Sequence, residues 1–189
     1  LYSKYNIDQT YLTFSNFARW DEQKDHRNLL NAFKIFKMNF KKKWVLFLAG
    51  KNIDSYNPSL MKLIIDYNLK DNIILLGKID NVFEYFSIIN INILASQYGE
   101  GFPNIIAEGM ISGVPCISTN IGDSNLIIQN SGWIVEPKNP DKLNKAILLA
   151  SNEYLVNNFK ERSLLCKKII NEEFSLKKMI KNFNNLYNT

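Results

Sequence analysis

Short runs of aliphatic, aromatic and β-branched residues alternate with longer stretches of helical periodicity along most of this chain, and that alternation narrows the fold more than any other feature. Apolar runs bounded by Gly, Asn or charge lie at 11–17, 44–50 and 72–77, and three more follow at 91–95, 115–119 and 132–135. Each has strand length and strand composition. Between them, helical patterns cover 27–40, with apolar residues at 29, 30, 33, 36 and 40, then 58–68, 82–86 and 103–111. A strand followed by a helix, repeated, requires crossover connections and therefore a parallel sheet with helices on both faces. The expected class is α/β, a doubly wound parallel sheet of Rossmann-like type. From 141 onward the chain reads as helix, with Pro140 and Asp141 as the start signal and Leu143, Ile147 and Leu148 facing inward. One or two further helices are expected over 153–187, and no internal repeat is present.

Composition sets the outer bounds. With 189 residues, 46% hydrophobic and 22% charged, the chain can bury a full core, and its 8 Gly and 5 Pro are too few for a linker or fibre. Its longest apolar run, 44–49, falls far short of the roughly 20 residues a membrane-spanning helix needs. The first residues, LYSKYNIDQT, hold neither an initiator Met nor an apolar leader. The expectation is that 1–10 are the tail of a connector from an upstream domain and 11–189 the folded unit. Net charge is +5, but Lys supplies 20 of the 23 basic residues and 26 Asn accompany them, a compositional bias that argues poorly for a nucleic-acid partner. Cys116 and Cys166 lack metal-ligand spacing and the chain has one His, so no metal site is expected and a reducing cytoplasm is the expected compartment. The stretch 27–51 holds seven cations and no acid. Helical spacing sets Lys34, Lys37 and Lys41 along one side, either a solvated face or a contact for an anionic membrane at its inner face.

In an open parallel sheet ligands bind beyond the carboxyl ends of the strands, so the loops there carry the chemistry. After the first run, ARWDEQKDH brings Arg19 and Lys24 to a strand end, an Arg fork and a mobile Lys charge suited to a diphosphate. A solvated charged loop is the competing reading of that segment alone. After the fourth run, SQYGEGFPNIIAEGM places Gly99 and Gly101 where backbone can approach a ligand, Pro103 at the first helical position, and free amides toward an anionic group. Glu100 precedes this helix and Glu108 lies within it, so each can accept from a separate sugar hydroxyl. Glu153 and Glu161 repeat the same spacing with no glycine turn before them, and that second pair reads as a solvated face. His26 reads as a cap or packing residue at its helix start, and Trp20, Trp44 and Trp133 as core or cleft wall.

The segments ARWDEQKDH (18–26), LFLAG (46–50), IILLGKIDNVFEYF (73–86), EGFPNIIAEGMISGVPCIST (100–119), IGDS (121–124) and GWIVEPKNPDKLNKAI (132–147) together resemble the C-terminal, nucleotide-sugar-binding half of a GT-B glycosyltransferase of family 4, a retaining group. The resemblance implies a donor-binding domain that transfers a sugar from a nucleoside diphosphate sugar to a hydroxyl acceptor in polysaccharide or glycolipid synthesis, without metal or other cofactor. It implies that Arg19 and Lys24 grip the diphosphate, Glu100 contacts the donor sugar and Glu108 the ribose. The amides of Gly101, Phe102, Asn104 and Ile105 would wrap the sugar and distal phosphate, and Gly77, Lys78 and Ile79 would edge the base. Acceptor groups would come from a missing N-terminal domain, without which the fragment is expected to be inactive. Ala18, Asn52, Pro103 and the Gly122-Asp123 pair depart from the family pattern, where Gly is usual. A GT-B epimerase or phosphorylase half, and a non-enzymatic nucleotide-binding module, are the alternatives.

Overall fold

The computed structural model describes residues 1–187. Its six strands, β1 (Leu12–Phe17), β2 (Trp44–Ala49), β3 (Ile73–Leu75), β4 (Ile91–Leu94), β5 (Cys116–Thr119) and β6 (Trp133–Val135), form one sheet in the order β3-β2-β1-β4-β5-β6. All five pairings are parallel. The order reverses between β1 and β4, which opens a crevice at their carboxyl ends. The expected doubly wound sheet is therefore present.

Helices α1 (His26–Asn39), α2 (Pro58–Asp66) and α6 (Pro140–Asn157) cover one face; α3 (Val82–Phe86), α4 (Asn104–Ile111), α5 (Ser124–Ile128) and α7 (Lys160–Glu173) cover the other. A last helix, α8 (Leu176–Tyr187), follows α7. The seam between α1 and the sheet is aromatic. Phe14 meets Phe33 and Phe36 edge-on at 5.1 and 5.6 Å, and Phe33 stacks on Trp44 at 5.2 Å. Each ring buried there stabilises by roughly 1.5–3 kcal/mol, and together they fix where α1, and the loop before it, begins. On the opposite face, β1 presents two hydroxyls, Thr13 and Ser15, beside the buried ring of Phe17. Thr13 Oγ1 donates to the Ile88 carbonyl at 2.6 Å and Ser15 Oγ to Asn92 Oδ1 at 2.9 Å; Asn92 Nδ2 in turn donates to the Ile105 carbonyl at 3.0 Å. This buried relay ties β1 to β4 and β4 to the first turn of α4.

Several expectations need correction. Pro103 is not the first helical residue: it sits one position before α4 with φ −75° and ψ 93°, an extended cap whose side chain bonds nothing. The five-residue helix α5 has no counterpart among the expected elements, because a five-residue helix shows too little periodicity to be read. Lys41 lies beyond the end of α1, so the three lysines do not share a helix face. Lys37 donates to the Asn68 carbonyl at 2.6 Å and Lys34 stands over the Tyr67 ring at 5.2 Å, both engaged with the end of α2. Glu153 and Glu161 belong to different helices, since Asn158 and Phe159 turn left-handed between α6 and α7. Glu153 forms a two-pronged pair with Arg162 at 2.7 and 2.8 Å, not a solvated face, and Arg162 covers the Trp133 ring at 4.4 Å. Apart from these corrections, the stretch 1–10 includes a 3-10 turn, Ser3–Tyr5, and sets Leu1, Tyr2, Tyr5 and Ile7 against the core; Tyr5 meets Phe47 edge-on at 5.4 Å.

Candidate functional site

The loop after β1 is shaped by two aspartates in succession. Asp21 accepts from the Gln23 amide at 2.9 Å and caps a 3-10 turn, Glu22–Lys24; Asp25 then accepts from the Asn28 amide at 3.1 Å and caps α1. Lys24 thus closes a rigid turn instead of hanging from a free loop. Arg19, exposed at the strand end, is held in a fork by Asp21 at 3.2 Å and Gln23 Oε1 at 2.9 Å. Gln23 also donates to the Gly99 carbonyl at 2.7 Å, and the Gln97 amide donates to the Gln23 carbonyl at 2.8 Å. The β1 and β4 loops are therefore stitched together across the switch point.

At that seam Lys24 Nζ pairs with Glu100 Oε1, with side chains only 14% and 10% exposed. Ser96 Oγ, at the end of β4, donates to the same carboxylate oxygen at 2.5 Å. Behind this turn the β5–α5 loop closes in. A Cβ on Gly122, whose φ is +56°, would stand 2.3 Å from the Glu100 carbonyl oxygen, so only glycine lets the two loops meet. The Asp123 amide donates to the Gly101 carbonyl at 2.9 Å. By contrast, a Cβ on Gly101 would meet nothing within 4 Å, so the front of the turn is open. The amides of Gly101, Phe102, Asn104 and Ile105 donate to no acceptor among the described residues. Four free N–H groups leading into α4 are an arrangement able to accept an anion.

Glu108, on the second turn of α4, is half-buried, and burial alone raises its carboxyl above the usual range, with no partner to offset it. The Ser112 hydroxyl donates to the Glu108 backbone carbonyl at 2.8 Å, not to its carboxylate. Gly77, Lys78 and Ile79 follow β3 on the far side of β2. Gly77 is linked back by a bond from the Gly50 amide at 2.8 Å, Lys78 is exposed, and Ile79 packs on the core. Phe102 leans on Phe174 at 5.5 Å, at the end of α7. The structure thus brings Arg19, Lys24, Glu100 and the amides of Gly101, Phe102, Asn104 and Ile105 into one cluster. Gly77, Lys78 and Ile79 stand at the end of β3, two strands from β1 along the same sheet edge.

Sequence reading gives no role to Ser96, Gln23 or Gly122, though it shows Gly122 in a family-like segment. Ser96 carries only a weak signal, a hydroxyl at a strand end four residues before Glu100. His26 is buried, 2% exposed, tilted against Trp20 at 5.2 Å with neither ring nitrogen hydrogen-bonded, which suits packing and not catalysis. A cavity of about 430 Å³ lies on the α1 side of the loop, lined by Trp20, Asp21, Glu22, Asp25, His26 and Arg27 among others; its carboxylates make it a poor phosphate site. Among the described residues no group of three His, Cys, Asp or Glu side chains could hold a metal, and no helix is long and apolar enough to cross a membrane.

The family model for "Glycosyl transferases group 1" matches residues 2–165. The chain belongs to the group 1 glycosyl transferases. Among curated relatives, it is 25% identical over 190 residues to N-acetyl-alpha-D-glucosaminyl L-malate synthase of Bacillus anthracis, an alignment covering 99% of this chain and 48% of that protein. It is 27% identical over 124 residues to the Escherichia coli UDP-Gal:alpha-D-GlcNAc-diphosphoundecaprenol alpha-1,3-galactosyltransferase, covering 65% of this chain and 31% of the other. This glycosyl transferase chain thus spans about half, or less, of the length of these relatives. A Rickettsia africae glycosyltransferase superposes with a TM-score of 0.84 at 24% identity, over 98% of this chain and 49% of that one. HepE of Anabaena, solved with UDP, superposes at 0.81 and 16% identity, over 95% and 49%. At these identities the likeness to the two structures is one of fold.

Proposed function

We propose that this chain is the donor-binding half of a retaining glycosyltransferase that moves a sugar from a nucleoside diphosphate sugar to a hydroxyl acceptor in polysaccharide or glycolipid synthesis. The observation that carries the reading is the convergence, at the switch point, of Arg19 and Lys24 from one loop with four unpaired amides from the next. Two cations and a helix start brought to one sheet edge suit a diphosphate. As the glycosyl bond breaks, negative charge grows on that diphosphate, and fixed donors stabilise it most when the charge is greatest. Glu108, unpaired and half-buried, accepts from the ribose hydroxyls; Glu100 accepts from the donor sugar; Gly77, Lys78 and Ile79 border the base. The Escherichia coli relative, whose name specifies UDP-Gal and a diphosphoundecaprenol-linked acceptor, supports the donor class and a glycolipid setting. Acceptor groups come from sequence outside this chain.

A thermal-shift panel with UDP, GDP, ADP and their sugars tests this. A ligand at 100 times its dissociation constant stabilises by about 2.7 kcal/mol, which in a domain of this size raises Tm by roughly 5–10 °C. No shift with any member of the panel would refute the reading.

A further inference from the structure

Lys24 and Glu100 belong to loops 76 positions apart in sequence, yet in the fold they are each other's partner. Oε1 of Glu100 takes both the Lys24 ammonium and the Ser96 hydroxyl, while Oε2 has no hydrogen bond among the described residues. The pair is largely withdrawn from water, so neither charge is cheaply exposed. Arg19 differs: its side chain is 51% exposed and its partner Asp21 37%, so that pairing exchanges readily for another anion.

We propose that the donor diphosphate and Glu100 compete for the Lys24 ammonium, so that Glu100 becomes a full-strength acceptor for the donor sugar only when a diphosphate has drawn Lys24 away. This rests on the donor-site reading above and adds a coupling to it. While Lys24 neutralises Glu100, Oε2 is a weak acceptor; once the ammonium turns its charge to phosphate, Oε2 carries charge toward a hydroxyl. Ser96 is the positioning residue. Its hydroxyl stays on Oε1 throughout, and its own backbone is fixed by Thr119 Oγ1, which donates to the Ser96 carbonyl at 2.6 Å. The consequence is ordered recognition, in which free sugar gains nothing from Glu100 and diphosphate binding is weaker than two cations alone would allow.

The test is calorimetric titration of residues 1–189 with UDP, GDP and ADP and with UDP-glucose, GDP-mannose and ADP-glucose, using the base that binds best. Glu100→Gln should bind the diphosphate at least about threefold tighter than wild type, since Lys24 no longer leaves an anion, and the sugar nucleotide should lose its advantage over the diphosphate. Glu100→Ala should shift the diphosphate in the same direction, so the outcome does not hang on one variant folding. In a Lys24→Met background, Glu100→Gln should change diphosphate affinity less than about twofold. Ser96→Ala should leave diphosphate affinity within about twofold while removing the sugar nucleotide's advantage, a split that a merely structural residue would not produce. Equal tightening with and without Lys24 would mean plain charge repulsion and would overturn the coupling while leaving the donor site intact. So would the absence of tightening in both Glu100 variants. Failure of wild type to bind any of the six probes would overturn the coupling and the donor reading together.

Discussion

Replacing His26 by Phe should free this protein's stability from much of its sensitivity to mild acid. His26 is buried against Trp20 with neither ring nitrogen in good hydrogen-bond geometry, and burial, offset only in part by the Ala18 backbone, pushes its pKa down to about 4. In the unfolded chain it titrates near 6.5. The unfolded state therefore binds a proton that the folded state refuses. Stability contributed by the neutral ring is fully present above about pH 6.5 and is lost as pH falls toward 4. At about 1.4 kcal/mol per pH unit, the gap of roughly 2.5 units is worth about 3 kcal/mol. Asp25 and Glu108 act in the opposite sense: burial raises both carboxyls, so they release protons on unfolding and gain relative stability as pH drops. The wild-type profile is consequently a sum, and the variant isolates one member of it. His26→Phe keeps a ring on Trp20 and leaves no nitrogen unsatisfied. Urea denaturation of both proteins at pH 7.5, 6.0 and 4.5 should show the variant gaining about 2.5 kcal/mol on wild type between the first and last pH. A difference that stays constant across the series would refute the reasoning, because it would mean that the imidazole titrates in the fold as it does in the unfolded chain, as a ring that reaches solvent would.

Three further outcomes are expected. Ala at Arg19 or Lys24 should weaken nucleoside diphosphate and its sugar about equally and leave bare nucleoside unchanged; titration against nucleoside, monophosphate and diphosphate reads this, and a loss independent of phosphate number would show a fold-supporting role only. Glu108→Ala should cost nucleotide binding roughly 1–3 kcal/mol while leaving stability at pH 7 unchanged or higher, since its carboxylate is half-buried without a partner; Glu161→Ala, on an exposed turn of α7, should not alter binding. The thiols of Cys116 and Cys166 are buried, and burial pushes the first well up and the second to about 11. Neither should react with a thiol reagent at pH 8 until denaturant is added, and fast labelling of the native protein would contradict that placement.

The sheet was legible before the structure because its cause is local. Strand runs such as 44–50 carry their own β-propensity, and α1 shows its period in Leu29, Leu30, Phe33 and Phe36, all of which the structure buries. The short elements were less legible: β3 shrank to Ile73–Leu75, and α5 was not seen at all. In the candidate site, Arg19, Lys24, Glu100 and the glycine turn stood out by residue type at strand ends, where a parallel sheet must place its ligands. Their partners did not. That Glu100 spends its charge on Lys24, that Ser96 shares the same oxygen, that Gln23 reaches Gly99, and that Gly122 must lack a side chain all depend on which loops touch. The same holds for Glu153, which its spacing classed with solvated residues and which the meeting of α6 and α7 turned into the partner of Arg162. Propensity and periodicity are written along the chain and act over a few residues. Ion pairing and close backbone approach arise only after strand order has brought distant loops to one sheet edge, so the tertiary structure alone decided them.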